Sequence, residues 1–263
     1  QNLVALRAAQ LGFGLQRKTV CCLAMTRSDQ TPANVCPVCE NWSVPPYPNQ
    51  DVLTGNYCQL DRLDAEKHAA LLFRVFEGHD QVWDYLPYGP FSSQYQRWVR
   101  EVAGLTDTVF YAIKNLCTGA FERLASFLRI WPEVGSIEIG HINMSPRLQR
   151  TPAATEAMYR MMQWASEVGC RRYEWKCNAA NIPSCRAAQR LGLSYEGVFR
   201  QAAIVKGRNR DTTWFASIDS EWPAPKEAFK AWLDPCKFDA NGRKNERLSD
   251  LTRLVRHNSD PAL

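Results

Sequence analysis

Residues 149–157, Gln-Arg-Thr-Pro-Ala-Ala-Thr-Glu-Ala, have the types and spacing of a helix start that binds an anion. Thr151 suits the N-cap, and Pro152 suits the first helical position, where a missing N–H costs little. The N–H groups of Ala153, Ala154 and Thr155 then lack partners within the helix. With the positive end of the helix dipole they would hold a phosphate-like group, and Arg150 can add a side-chain contact. Just upstream, the apolar run Ser136–Met144 carries two groups able to move protons, Glu138 and His141. His141 needs little tuning to act near neutral pH. Three residues separate the two, so a regular strand points them to opposite faces and at most one faces a given cleft, unless a bulge intervenes.

These residues need a scaffold, and the patterning supplies one. Met158, Met161, Met162, Ala165 and Val168 recur on one helical face, and Gly169 stops that helix. In 171–177, Tyr173, Trp175 and Cys177 alternate with Arg172, Glu174 and Lys176, which reads as a strand with one polar face and an ion-pair ladder on it. Asn181 can cap a further helix through Arg190, ended by Gly192. Upstream, Asp61 or Asp64 caps a helix to about Phe76, and Ser92 caps a second one through Val102, stopped by Gly104. Strands follow at 109–114 and 120–131, and a closing hairpin spans 197–220 with its turn at 206–209. Periodicity alone gives a mixed α/β domain.

The segment Gln149-Arg150-Thr151-Pro152-Ala153-Ala154 resembles the Gln-x-x-Gly-x-Gly/Ala pyrophosphate loop of the GNAT acetyltransferase superfamily, with proline where the first glycine usually sits. Thr155-Glu156-Ala157 is similar to the RimJ/RimL branch, and Asn181-x-x-Ser184 followed by Leu191-Gly192-Leu193 resembles the second cofactor motif. The resemblance runs from about Leu53 to Trp222. It implies an acyl-CoA N-acyltransferase fold, α/β with a largely antiparallel mixed central sheet flanked by helices. It also implies acetyl-CoA splayed between the strands at 136–144 and 171–177, bound through Gln149, Arg150, Thr151, Ala153, Ala154 and Thr155, with Asn181 and Ser184 on the pantetheine arm. Arg186 or Arg190 would reach other phosphates. The reaction implied is direct transfer of acetyl to a primary amine within a ternary complex.

That transfer needs a deprotonated amine, a polarised carbonyl and a proton for the departing thiolate. Many relatives use a tyrosine seven residues after the motif asparagine; here that position is Ala188, and the resemblance assigns the thiolate's proton to Ser184. The glutamate of RimL-type enzymes corresponds to Ala203, which leaves His141, Glu138 or a water as base. The first helices and the hairpin would form the acceptor site, with Trp83, Tyr85 and Tyr88 as its wall and Asp211 facing an ammonium. The acceptor itself, a protein N-terminus or a small amine, is left open.

Composition sets outer bounds. The 263 residues are 45% apolar, enough for a sizeable core, and no run approaches the roughly 20 apolar residues of a membrane span. A net charge of +5 without a basic tract suits a nucleotide cofactor and excludes a nucleic-acid footprint. Among ten cysteines only Cys36 and Cys39 have metal-like spacing, with no second pair to complete a zinc site, so no metal is expected. The other cysteines sit in apolar segments as buried thiols, which fits a reducing, cytoplasmic setting. Residues 1–50 read as an extension ending in a proline-bearing linker; the Arg-rich, acid-poor stretch to residue 28 alternatively reads as a mitochondrial transit peptide. Residues 51–222 form the domain, and 223–263 a short helix and a polar tail. The chain is expected to act as a monomer or homodimer. Two other classes remain: a non-catalytic acyl-CoA-binding module, favoured by Pro152, Ala188 and Ala203, and a zinc-dependent interaction protein built on Cys36 and Cys39.

Overall fold

One eight-stranded sheet runs in the order β1-β2-β3-β4-β5-β6-β8-β7, with its central strands β3 and β4 buried over most of their length. The strands are β1 (Val52–Thr54), β2 (Cys58–Arg62), β3 (Val109–Asn115), β4 (Phe121–Trp131), β5 (Ser136–Met144), β6 (Arg172–Asn178), β7 (Ser194–Val205) and β8 (Arg208–Ile218). Every neighbouring pair is antiparallel except β5 and β6. The computed structural model describes residues 36, 38–145, 147–238, 244 and 246–263. The transit-peptide reading of 1–28 therefore lies outside the described residues. The chain divides into two units, 1–43 and 44–263, and in the first Cys36 and Cys39 are exposed.

Helices cover both faces of the sheet. On one face lie α1 (Ala65–Phe76) and α2 (Tyr95–Ala103), packed with Trp83 and Tyr88 onto Phe110, Ala112 and Leu124. On the other lie α3 (Pro152–Glu167), α4 (Ile182–Arg190), α5 (Pro223–Leu233) and α6 (Leu248–Arg253), packed on Tyr111, Phe127, Ile137, Ile139, Tyr173, Trp175 and Phe215. The single parallel pair follows from α3: a helix between two strands returns the chain to the edge it started from.

The local rules account for most boundaries. Asp64 caps α1 by accepting from Lys67 N at 2.9 Å. Thr151 caps α3 with Pro152 at its first position, and Asn181 caps α4. Gly169 closes α3 at φ 97°, where a side chain would be strained. Ser92 does not cap α2: that helix begins after Gln94 without a side-chain cap.

Three expectations are corrected. The short strands β1 and β2 open the domain ahead of α1, two elements that the residue pattern does not predict. Residues 44–50 belong to the domain, since Pro45 and Pro48 are buried and the Tyr47 hydroxyl donates to Thr106 O at 2.7 Å. The 223–263 segment is also part of it and docks on α4 and β7. Thr252 Oγ1 donates to Arg190 O, His257 N to Ser194 Oγ, and Asp260 N to Gln189 Oε1, all within 3.1 Å. Cys58, Cys170, Cys177 and Cys185 are buried thiols as expected, whereas Cys117 and Cys236 are exposed.

Candidate active site

Strands β5 and β6 pair only from Ser136 with Arg172 to Ile139 with Trp175. Beyond these pairs the strands part, and the gap is bounded by residues 140–144 on one side and 176–178 on the other. The first turn of α3 and the first turn of α4 both follow the ends of these strands, after loops at 145–151 and 179–181.

The gap-facing part of β5 is bulged. Leu124 of β4 pairs with Asn143 and Ser126 with Gly140, so His141 and Ile142 together oppose Ala125. His141 takes up the bulge at φ 50°. The extra residue cancels the period-two argument and puts the imidazole on the α1–α2 side. There it stacks on Phe110 with ring centroids 5.0 Å apart and lies 5.8 Å from Tyr88. Its Nδ1 is 2.7 Å from Ser126 Oγ. Burial, with Arg129 and Arg210 nearby, pulls its pKa down to about 4, so the ring is neutral at pH 7.

This depressed pKa makes a prediction about stability. The folded value lies below the 6.5 of the free side chain, so the unfolded chain binds the extra proton first. Stability from this residue is complete above pH 6.5 and is lost as pH falls toward 4. Urea unfolding of wild type should lose about 2–3 kcal/mol more between pH 7 and pH 4.5 than His141→Gln does. Equal losses would reject the assignment.

Glu138 is corrected as a base. It is 3% exposed; both carboxylate oxygens accept from Arg129 Nη1 at 2.7 Å, and Oε2 lies 2.9 Å from Lys176 Nζ. Its lone pairs are held by two cations, and it serves as their counter-ion. The ladder expected on β6 is present: Arg172 and Lys176 reach Glu174 at 2.6 and 2.7 Å, and Arg172 continues to Glu196 with a two-pronged contact.

The anion site is smaller than its sequence suggests. Thr151 Oγ1 accepts from Ala154 N at 3.2 Å, and Thr155 N donates to Thr151 O at 3.3 Å, closing the first helical bond. Ala154 and Thr155 therefore spend their N–H groups internally. Thr155 Oγ1 in turn accepts from both terminal nitrogens of Arg190 at 3.1 Å. The N–H groups of Ala153 and Arg150 face no acceptor among the described residues. Arg150 adopts a left-handed φ of 64°, and the Gln149 and Arg150 side chains are exposed at the loop surface.

On the β6 side, Asn181 Oδ1 accepts from Ser184 N at 3.2 Å, which leaves its amide nitrogen free to donate. Ser184 Oγ accepts from Trp175 Nε1 at 3.1 Å. That bond orients the oxygen, and its hydroxyl proton has the Cys177 sulfur within reach until another acceptor takes it. Asn143 was missed in the sequence. It is 2% exposed on the parted stretch of β5, and neither atom of its amide has a partner among the described residues. A buried amide left unpaired is costly, so a ligand with polar groups fits this gap. Only the bulge places Asn143 here, and no residue pattern announces it.

The acceptor wall is partly corrected. Trp83 is 2% exposed and packs against Phe76, Phe91, Tyr95 and Trp98, so it belongs to the core. Tyr85 is exposed, and its hydroxyl donates to Ala180 O at 3.2 Å across to the start of α4. Asp211 Oδ1 accepts from Gln201 N at 2.7 Å and Asn209 Nδ2 at 3.0 Å, bracing the β7–β8 hairpin. Among the described residues no three His, Cys, Asp or Glu side chains are arranged to hold a metal ion. Among them, too, no helix is long and apolar enough to cross a membrane.

Comparison with known proteins agrees with this architecture. Residues 59–194 match the profile of the acetyltransferase (GNAT) domain. A crystal structure of a GCN5-related N-acetyltransferase from Brucella melitensis superposes with a TM-score of 0.78 at 39% identity, over 81% of this chain and 99% of that one. A probable GNAT-family acetyltransferase from Chromobacterium violaceum gives 0.69 at 38% identity, over 74% and 100%. An uncharacterised N-acetyltransferase of Bacillus subtilis, YnaD, is 31% identical over 87 residues, which are 32% of this chain and half the length of that relative. The domain has the GNAT fold, and the chain belongs to the GNAT acetyltransferase family, whose members are acyltransferases.

Proposed function

We propose that the protein transfers the acetyl group of acetyl-CoA to a primary amine by direct attack in a ternary complex. The observation that carries this reading is the parting of β5 from β6 at Gly140, with Ser184, Asn181, Asn143 and the start of α3 all bordering it. The residues fit the cofactor. Arg150 and Ala153 N–H would take its pyrophosphate, and Asn143 and Asn181 would pair polar groups of its pantetheine arm.

In this reading the amine nitrogen attacks the acetyl carbon, the carbonyl oxygen takes the charge, and the carbon–sulfur bond breaks. Ser184 gives its hydroxyl proton to the leaving sulfur and takes one back from water, which carries the proton lost by the amine. The amine proton leaves to water or to His141, a weak base at its depressed pKa. The finer placement in the RimJ/RimL branch is supported by the Ala153-Ala154-Thr155-Glu156-Ala157 motif. The test is thiol release from acetyl-CoA with a panel of amines, followed by the mass of the product. A gain of 42 Da on an amine supports the reading; acetyl-CoA binding with no product from any amine would favour the non-catalytic acyl-CoA-binding module.

A further inference from the structure

Resting on that acetyltransferase reading, we infer that the acceptor amine also carries a carboxylate, and that Arg210 receives it. The charges of the cleft lead there. Arg129, Glu138, Lys176, Glu174, Arg172 and Glu196 form one chain of contacts in which cations and anions alternate, so it closes neutral. Arg210 is left over. No Asp or Glu oxygen lies within 4.0 Å of it among the described residues, and its Nε donates to Thr212 Oγ1 at 3.2 Å.

The register places this arginine in the cleft. On β8, Thr212 pairs with Asn178 and Trp214 with Lys176. Lys176 Nζ sits 3.7 Å from the centre of the Trp214 ring, so Trp214, Thr212 and Arg210 project on the face that carries Glu138 and His141. Thr212 opposes the last residue of β6, so Arg210 stands beyond the end of that strand, where β5 and β6 have parted. Its charge is felt at His141, and the charges of Glu138 and Arg129 are felt at Arg210. Burial lowers its own pKa, which shows a guanidinium held partly out of water.

A partly desolvated guanidinium without an acid lacks the partner that offsets its desolvation, and a carboxylate is the group its planar fork matches. The unpaired charge of Arg210 itself disfavours a purely cationic amine beside it. Lys206 Nζ, which donates to Trp83 O at 2.9 Å, has Asp84 near it, and Asp211 Oδ1 braces the hairpin. A carboxylate on Arg210 would also offset one of the two cations that add to burial in holding His141 neutral. Amino acids and their derivatives with a free carboxylate are therefore the expected acceptors; polyamines are not.

The experiment uses the full chain, acetyl-CoA and matched acceptors: L-leucine with L-leucinamide, L-phenylalanine with L-phenylalaninamide, and spermidine. Wild type should prefer the acids. Arg210→Gln should lower kcat/KM for the acids by about ten- to hundredfold and for the amides by less than about threefold. Arg210→Lys should restore part of the difference. Equal turnover of acids and amides, a uniform fall in Arg210→Gln, preference for spermidine, or no turnover of either acid would each overturn the inference. Calorimetry with acetyl-CoA on the same protein separates the two levels. Failure to bind it sinks the acetyltransferase reading itself, whereas binding and amine turnover without acid preference sink only the role of Arg210.

Discussion

Glu156→Ala is expected to destabilise the domain by about 3–5 kcal/mol, a large share of an ordinary domain's 5–15 kcal/mol. Glu156 is 1% exposed on α3. Its carboxylate accepts three backbone N–H groups in a row: Asn56 at 2.8 Å, Tyr57 at 2.6 Å and Cys58 at 3.0 Å. Arg160 follows one turn later at 3.7 Å. Truncation would orphan all three donors at once, and each unpaired buried group costs about 1–3 kcal/mol. Glu156→Gln keeps one acceptor and should fall between. Gly55 gives an independent check, because a Cβ there would lie 2.2 Å from Glu156 Oε2. Gly55→Ala should therefore be costly in wild type and much cheaper in the Glu156→Ala background, a coupling that a double-mutant cycle by urea unfolding would read. Additive losses would show that the carboxylate does not hold the β1–β2 turn.

Ser184→Ala should lower kcat by about 10²–10⁴-fold while leaving acetyl-CoA affinity close to wild type, the size expected for loss of a positioned proton donor. The cap of α4 uses the Ser184 backbone N–H and is kept, while the Trp175 indole N–H loses its acceptor, at a cost of about 1–3 kcal/mol that an ordinary domain survives. Trp175→Phe removes the indole N–H that orients Oγ at 3.1 Å and should give a smaller fall in the same direction. Steady-state thiol release with single-turnover controls would measure both. Unchanged kcat in Ser184→Ala would move the thiolate's proton to water.

Much of the scaffold was legible in residue order. The β5 run Ser136–Met144, the Thr151-Pro152 start of α3 and the Asn181 cap of α4 stand where patterning placed them, because each depends on residues close in sequence. What escaped depends on distant partners. One extra residue opposite Ala125 reverses the face of His141, and no local pattern reports it. Glu138 carries the right functional group for proton work, but Arg129 and Lys176 claim it, and Asp211, read as facing an ammonium, braces the hairpin through Oδ1. Trp83 looks like a pocket wall until five aromatic neighbours enclose it. The tail after 233 is polar in sequence, yet backbone contacts to Ser194 and Gln189 hold it. The loop motif overstated its donors, because the Thr151 cap consumes one N–H and the first helical bond another.

The most direct test of the account is calorimetric titration of the full chain with acetyl-CoA and then CoA. Micromolar binding is predicted, weakened several-fold in Arg150→Ala and unaffected in Ser184→Ala. No detectable binding would mean that Pro152, together with the internal use of the Ala154 and Thr155 N–H groups, has disabled the pyrophosphate site, and the acetyltransferase reading would fall despite the fold.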